Sequence, residues 1–352
     1  MRKAYLGLFL CFIFCLLSGA ASAGEIIDRT LRSRILGGEH LGYDPQRHIK
    51  LYLPSGYATS GKRYPVLYHF HGLFWSNTQA FADGNLQRTL DFAMAQGIIP
   101  EFIWVAGDFT TAGAGAFFEN SAQAGRWLDH VVEELVPYVD SHFRTLATRE
   151  ARGLLGEFTG AYGALKIAMY HPELAASVYA MHPVGTGLGW VPMSQRDFWS
   201  RLLTARDPAG VPDGFESVFL AMAQAYLPRP DKPPFYADFI VRNSDGEIVV
   251  DSKNFHTLRT RFLLDTQIPA AAENLKQLQG IKLDWGRYDS NQDHVLANQN
   301  FVRLLEDYGI EHEAEEYRGN GHDHWTNGRV LRDVLPFFAR MFAAGGKGSS
   351  AG

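Results

Sequence analysis

Apolar and polar positions change period repeatedly along this chain, from short apolar runs to longer amphipathic stretches. The short runs predict an antiparallel strand pair within residues 34–54 and further strands at 64–72, 102–106, 152–155, 177–181, 281–285 and 313–317. Apolar residues three or four positions apart predict helices at 85–96, 124–143, 161–170, 295–308 and 329–342. Strands that alternate with helices predict an α/β protein with a mostly parallel sheet and helices on both faces.

One long segment interrupts this alternation. Residues 184–278 contain many of the prolines, including Pro228, Pro230, Pro233 and Pro234. We expect this segment to be an insertion, or cap, within a single domain that spans residues 24–342. The tail at 343–352 is rich in glycine and serine, and we expect it to be disordered.

The first 23 residues have the pattern of a secretory signal peptide. Two basic residues precede an apolar segment at 4–17, and Ala21-Ser22-Ala23 has the small side chains of a cleavage site. This pattern predicts a secreted or periplasmic protein whose mature chain begins at about Gly24; an uncleaved anchor is the alternative. No later stretch is long enough to span a bilayer, so no stable membrane span is expected after cleavage.

Charge and cysteine content exclude further classes. The formal net charge is −5 and no long basic run is present, which argues against a nucleic-acid partner. Both cysteines, Cys11 and Cys15, lie in the predicted signal segment, so disulfides are excluded from the mature chain. The 46% share of hydrophobic residues is that of a globular protein with a full core.

A glycine-flanked turn lies between the strand at 152–155 and the helix that follows it. Gly156-Glu157-Phe158-Thr159-Gly160 has the outline Gly-x-Nu-x-Gly, which is the nucleophile elbow of α/β-hydrolases. The elbow residue occupies a strained turn with positive φ, and its neighbours two positions away must lack side chains. Phe158 stands at the nucleophile position, and a phenyl ring cannot attack a carbonyl. The frame of a serine hydrolase is therefore present without its nucleophile.

Several stretches resemble the esterase family of α/β-hydrolases that includes S-formylglutathione hydrolases, feruloyl esterases and mycolyltransferases. The matching residues, in chain order, are 51–57, 64–68, 71–72, 120–127, 135–140, 162–165, 171–172 and 321–323. The resemblance covers most of residues 45–340 and implies an α/β-hydrolase fold. It also implies Asp289 as the triad acid, His322 as the triad base, and the backbone amides of Leu73 and Thr159 as the oxyanion hole.

Other polar residues follow the predicted strands. In an open α/β sheet the ligand crevice lies at the carboxyl ends of the strands. We therefore expect a ligand pocket lined by His71, Gly72, Glu157, His182 and Trp75. His256 and His294 lie outside these strand ends and are expected at the surface.

Three alternatives would allow catalysis without a serine at the elbow. Thr159 is adjacent, but its side chain is expected to point away from the crevice. Glu157 would be a carboxylate nucleophile, although it precedes the elbow and is better interpreted as paired with a nearby basic or amide group. The third alternative is a metal bound by His71, His182, His322 and His324, but their spacing matches no recognised ligand motif. We therefore expect no metal and no other cofactor.

Two functional hypotheses follow. In the first, the protein is a pseudoenzyme that binds a small ester, acyl or glycan ligand, or a protein partner. In the second, it is a carboxylic-ester hydrolase or acyltransferase in which His322 and Asp289 activate water directly or through a metal. The absence of a nucleophile at Phe158 favours the first hypothesis.

Overall fold

The computed structural model describes residues 23–37, 41, 43–111, 113–187, 196–326 and 328–348. Nearly all of the predicted signal peptide and the last four residues of the predicted disordered tail lie outside these ranges. No helix within them is long and apolar enough to cross a membrane.

A central sheet of eight strands organises the molecule. In chain order the strands are β1 Glu25–Arg32, β2 Gln46–Leu53, β3 Val66–Phe70, β4 Ile103–Gly107, β5 Asn120–Ser121, β6 Gly125–Arg126, β7 Arg152–Glu157, β8 Ser177–Met181, β9 Val241–Ser244, β10 Glu247–Val250, β11 Gly280–Gly286 and β12 Glu313–Tyr317. The order across the sheet is β1-β2-β4-β3-β7-β8-β11-β12, and β5-β6 and β9-β10 form two-stranded sheets. The β1-β2 and β2-β4 pairs are antiparallel and the other pairs of the central sheet are parallel. The predicted α/β fold is confirmed.

The middle strands are apolar because helices cover them on both sides. Every residue of β3, β4 and β8 is buried, as expected for strands in the interior of a parallel sheet. The prediction for the first strand was misplaced, because β1 ends at Arg32 and does not lie within 34–54. This edge strand is mostly exposed and carries no clear apolar pattern, so its pairing with β2 defines it.

Ten α-helices are described: α1 Asn85–Ala95, α2 Trp127–Asp129, α3 Val136–His142, α4 Thr159–Tyr170, α5 Arg196–Thr204, α6 Phe215–Tyr226, α7 Ser252–Phe262, α8 Ile268–Leu275, α9 Gln292–Asp307 and α10 Leu335–Gly348. The helix predicted at 124–143 begins only at Trp127, because Gly125 and Arg126 pair in β6, and a π-helical stretch, His130–Leu135, separates α2 from α3. The last helix extends past its predicted end at residue 342 to Gly348. In this extension Gly345 lies close to Glu150, because a Cβ at Gly345 would lie 2.8 Å from the Glu150 carbonyl oxygen.

The described part of segment 184–278 forms a cap of helices and one hairpin. It contains α5 to α8 and the β9-β10 hairpin. Aromatic rings build its interior, where Trp199 stacks on Phe219 with ring centroids 5.1 Å apart. Phe262 of the cap stacks on Tyr162 of α4 at 4.9 Å, and this contact seats the cap on the helix that follows the elbow.

Candidate active site

The turn between β7 and α4 has the geometry of a nucleophile elbow. Phe158 has φ 50° and ψ −115°, a conformation in which a bulky residue is an outlier. The flanking glycines are required by close backbone contacts: a Cβ at Gly156 or at Gly160 would lie within 3.0 Å of main-chain atoms of Gly160 or Phe70, respectively. The elbow is therefore intact as a backbone structure, with a phenyl ring on it.

The Phe158 ring lies among the side chains that would surround a nucleophile. Its centroid is 5.0 Å from the His182 ring, 5.1 Å from the His322 ring and 6.4 Å from the Trp75 ring. Gly72 is also adjacent, because a Cβ there would lie 3.4 Å from Cβ of Phe158. The elbow side chain thus fills the space in which a substrate carbonyl would approach a serine.

Asp289, three residues after β11, forms a hydrogen-bonded triad with two histidines. Its Oδ2 accepts from Nε2 of His182 at 2.7 Å and from Nδ1 of His294 at 2.8 Å. The backbone N–H of Gly286 donates to Nδ1 of His182 at 3.1 Å, which places the proton of a neutral His182 on Nε2. Burial raises the pKa of Asp289, but the bonds from His182, His294 and the Asn291 amide more than offset it and hold the pKa well below its usual range.

The structure does not join Asp289 to His322 as the family resemblance implies. No hydrogen bond joins these two residues within the described part of the structure. His322 is exposed beside Phe158. His182 takes the place of His322 as the partner of Asp289. It fits there because Gly321 is a glycine: a Cβ at that position would lie 2.8 Å from Nε2 of His182.

His294 corrects a second expectation. It was expected at the surface, whereas only 9% of it is exposed and it bonds Asp289 from the first turn of α9. The signal in the sequence was its position five residues after the carboxylate, at the start of a predicted helix. His256 is exposed, as predicted.

The two residues implied for the oxyanion hole lie beside the elbow. Thr159 is the first residue of α4, so its backbone N–H has no acceptor within the helix. Its hydroxyl is buried and has no hydrogen-bond partner in the described structure. Leu73 follows Gly72, which contacts the elbow.

His71, which was expected to line the ligand pocket, makes structural hydrogen bonds with both ring nitrogens. It is buried, its Nε2 accepts from the Phe109 N–H at 2.9 Å, and its Nδ1 donates to the Gly72 carbonyl at 2.9 Å. Burial lowers its pKa. Both ring nitrogens are thereby engaged, so His71 holds the loop after β4 in place. The His324 side chain, another of the proposed metal ligands, lies outside the described part of the structure.

Glu157 is buried directly below the elbow. Its Oε2 accepts a hydrogen bond from the indole N–H of Trp325, and its Oε1 is 3.5 Å from Nε2 of His69. The carboxylate is thus bound by its neighbours and does not take the nucleophile position. Trp325, in the loop after β12, was not predicted as a site residue.

The one group of three described residues whose ligand atoms converge as a metal site would require is His182, Asp289 and His294. The hydrogen bond from the Gly286 N–H to His182 shows whether these three residues could hold a metal ion. A neutral histidine that binds a metal through Nε2 carries its proton on Nδ1, yet Nδ1 of His182 accepts a hydrogen bond from the Gly286 N–H and so carries no proton. The group fits a hydrogen-bond network and does not fit a metal centre.

Two clefts flank the elbow region. One, of about 640 Å³, lies between the loops after β3 and β4 and the cap, and its walls include Tyr43, Phe74, Val211, Leu220 and Tyr236. The other, of about 760 Å³, is lined by Trp75, Glu157 and Trp325 together with the start of α1. Of the expected pocket residues, Trp75 and Glu157 therefore line a cleft.

Comparison with known proteins identifies the family of this chain. Residues 43–330 match the family model described as "Putative esterase". The chain belongs to this esterase family. The resemblance drawn from the sequence is therefore confirmed at the level of the family.

Curated relatives match this esterase-family chain over shorter stretches. Esterase Rv1288 of Mycobacterium tuberculosis is 31% identical over 144 residues, 39% of this chain and 29% of the relative. S-formylglutathione hydrolase of Paracoccus denitrificans is 34% identical over 148 residues, 38% of this chain and 50% of the relative. The match thus spans half or less of each relative.

Solved structures share the fold. A ferulic acid esterase superposes with a TM-score of 0.62 at 16% identity and covers 91% of this chain and 99% of its own. An S-formylglutathione hydrolase from Agrobacterium tumefaciens superposes with a TM-score of 0.58 at 17% identity and covers 92% and 97%. At these identities the superpositions establish the α/β-hydrolase fold alone.

Proposed function

We propose that this esterase-family protein is a pseudoenzyme that binds a small molecule at the carboxyl edge of its sheet and does not hydrolyse it. The observation that carries the proposal is Phe158, which holds the elbow conformation while its ring lies between His182 and His322. A phenyl group has no nucleophilic atom, and it occupies the reacting position.

The hydrogen bonds of Asp289, the residue at the position of the triad acid, support the proposal as well. In a triad the carboxylate orients the base that activates the nucleophile. Here Oδ2 of Asp289 already accepts two imidazole N–H groups, from His182 and His294. Among the described residues, no carboxylate is hydrogen-bonded to the exposed His322 ring, and this argues against water activation by His322 and Asp289.

The absence of a nucleophile is expected to lower the rate of ester hydrolysis by a large factor. Removal of the nucleophile or the base of a serine hydrolase lowers kcat by about 10⁶-fold. Oxyanion stabilisation by the elbow amides would retain at most about 10³- to 10⁴-fold acceleration over water. The Phe158 ring hinders even this residual reaction, because the substrate carbonyl must reach the same space.

The binding role uses what the fold retains. The two clefts beside the elbow are large enough for a small ester, acyl or glycan compound. The amino-terminal pattern supports export, so we propose that binding takes place in the periplasm or outside the cell.

The test compares the purified wild-type protein with F158S and with the double variant F158S/H182S. We expect the wild type neither to hydrolyse short-chain aryl esters nor to react with a fluorophosphonate. F158S should react only slowly, because Asp289 stays bonded to His182. The double variant removes one of the two imidazole donors to Asp289 and keeps that of His294; it should react about tenfold faster than F158S if this partial release lets Asp289 orient His322.

Ester hydrolysis by the wild-type protein would contradict the proposal. Loss of that activity in H322A, with an unchanged circular dichroism spectrum, would then favour the hydrolase hypothesis with His322 as the base. The H256A variant is the matched control, because His256 is an exposed histidine in the cap.

A further inference from the structure

We infer that the cleft lined by Trp75, Glu157 and Trp325, here called the tryptophan cleft, binds a small organic cation such as a protonated or quaternary amine. The inference rests on the proposed function, because it names the ligand class of a protein that binds without hydrolysis. Four features of the cleft support it: its shape, the charge of its lining, its aromatic rings and the hydrogen bonds among its polar groups.

The tryptophan cleft is a built concavity of the fold. Its volume is about 760 Å³, which exceeds the needs of a small amine and leaves room for a substituent. Glu157, at the end of β7, and Trp325 lie deep in it, and only 2% of Glu157 is exposed. Leu86 of α1 and Val330 contribute apolar walls.

The charge of the lining selects the sign of the ligand. Two carboxylates, those of Glu157 and Asp83, line the cleft, and its described lining contains no lysine, arginine or histidine. Arg88 lies beside Asp83 at the rim, where it bonds Asn85 and offsets part of the charge of Asp83, so Glu157 is the main source of negative charge in the cleft. A hydrogen bond from the Asn85 backbone lowers the pKa of Asp83, so this carboxylate is ionised at neutral pH. An anionic ligand would meet like charge there, whereas a cation would be attracted.

The two indole rings supply the second recognition element. A cation over an aromatic face is attracted by the ring quadrupole, and tryptophan is the strongest of the aromatic residues in this respect. Trp325 is held by its hydrogen bond to Glu157 and packs edge-on against the His69 ring at 5.3 Å. Trp75 is half-buried and packs edge-on against Phe158. Both rings are therefore positioned before any ligand arrives.

Polar groups of the rim bond one another in part. Oε1 of Gln79 accepts from the backbone and hydroxyl of Ser76. Asn85 bonds both Asp83 and Arg88. Negative charge and aromatic faces are then the main features that the cleft presents.

The test is calorimetric titration of the purified protein with choline and with its uncharged isostere 3,3-dimethyl-1-butanol. We expect choline to bind at least about tenfold more tightly, because only the cation gains from the carboxylates and the indole faces. Added salt should weaken choline binding and leave the isostere unchanged.

Two variants assign the binding to this cleft. E157Q keeps the shape of the side chain and removes its charge, and it should weaken choline binding about tenfold. W75L should weaken it about fivefold through loss of one aromatic face. E173Q changes an exposed carboxylate elsewhere, at 68% side-chain exposure, and should bind like the wild type. Circular dichroism confirms that each variant is folded.

Equal binding of choline and the isostere would overturn the inference, as would no binding of choline at all. Binding of a neutral disaccharide without a response to choline would overturn it in favour of a glycan ligand. These outcomes differ from failure of the proposed function, which would appear as ester hydrolysis by the wild-type protein.

Discussion

At the scale of single residues, the elbow is a strained turn whose surroundings maintain it. A non-glycine residue with positive φ costs of the order of 1–3 kcal/mol. Phe158 is held by its backbone, because its N–H donates to the Met181 carbonyl at 3.1 Å and its carbonyl accepts from Tyr162 at 3.0 Å. Hydrogen bonds to neighbouring residues therefore fix the backbone conformation of the turn, and this conformation does not require a nucleophilic side chain at Phe158.

Gly156 is the residue on which this turn most depends. We expect G156A to lower the free energy of unfolding by about 3 kcal/mol or more, because its Cβ would lie within 3.0 Å of the main chain of Gly160. Urea denaturation measures the change. The matched control is G61A, since a Cβ at Gly61 meets nothing within 4 Å. Equal stability of the two variants would contradict the close packing of the elbow.

At the scale of elements, a buried ion pair docks the carboxyl-terminal helical segment onto the sheet. Arg329 precedes the π-helical stretch Val330–Val334 and donates to Oδ2 of Asp284 in β11 at 2.7 Å. Asp284 is 1% exposed and also accepts from the hydroxyl of Tyr179 at 2.6 Å. Arg329 further bonds Glu315 of β12, so one guanidinium connects two strands to the last helix.

Loss of the Arg329 guanidinium should be costly. R329M leaves Asp284 charged and buried without its cation, and we expect the free energy of unfolding to fall by about 3–5 kcal/mol. R340M removes a pair with Glu313 that is about half exposed and should cost less than about 1 kcal/mol. Thermal denaturation of both variants checks the difference. A small effect of R329M would contradict the role of this ion pair in holding the carboxyl-terminal segment on the sheet.

At the scale of the whole molecule, the cap is tied to the core by both packing and charge. Glu119, in the loop before β5, accepts from Lys166 of α4 and from Nη2 of Arg261 in α7, the latter at 2.9 Å. Lys166 is 3% exposed, and burial lowers its pKa while Glu119 opposes that effect. The carboxylate thus connects a core helix to a cap helix beside the Phe262–Tyr162 stack.

Neutralising Glu119 should loosen the cap. In E119Q the buried Lys166 loses its counter-charge, and we expect a loss of about 3 kcal/mol in the free energy of unfolding. Hydrogen exchange measured by mass spectrometry should rise in α7 before it rises in β3, because the cap loses its bond to the core. E173Q, an exposed carboxylate variant, serves as the control. Unchanged exchange in α7 would show that aromatic packing alone holds the cap.

The sequence predicted the interior strands of the central sheet better than its edge strand β1. The interior strands β3, β4 and β8 have continuous apolar runs, because helices cover them on both faces, and such runs are visible in one dimension. The edge strand β1 has no such run and was misplaced, because its pairing with β2 defines it. The extension of α10 to Gly348 was likewise not predicted, because the local composition there is rich in glycine and serine.

The sequence by itself determined the family and the α/β fold, because glycine spacing and strand-helix alternation are local features. Only the tertiary structure decided the partner of Asp289. Oδ2 of one carboxylate accepts two close imidazole donors, and the fold brings His182 and His294 to it while His322 remains beside Phe158. Hydrogen bonds between residues more than a hundred positions apart depend on packing, and the order of residues in a motif does not specify them.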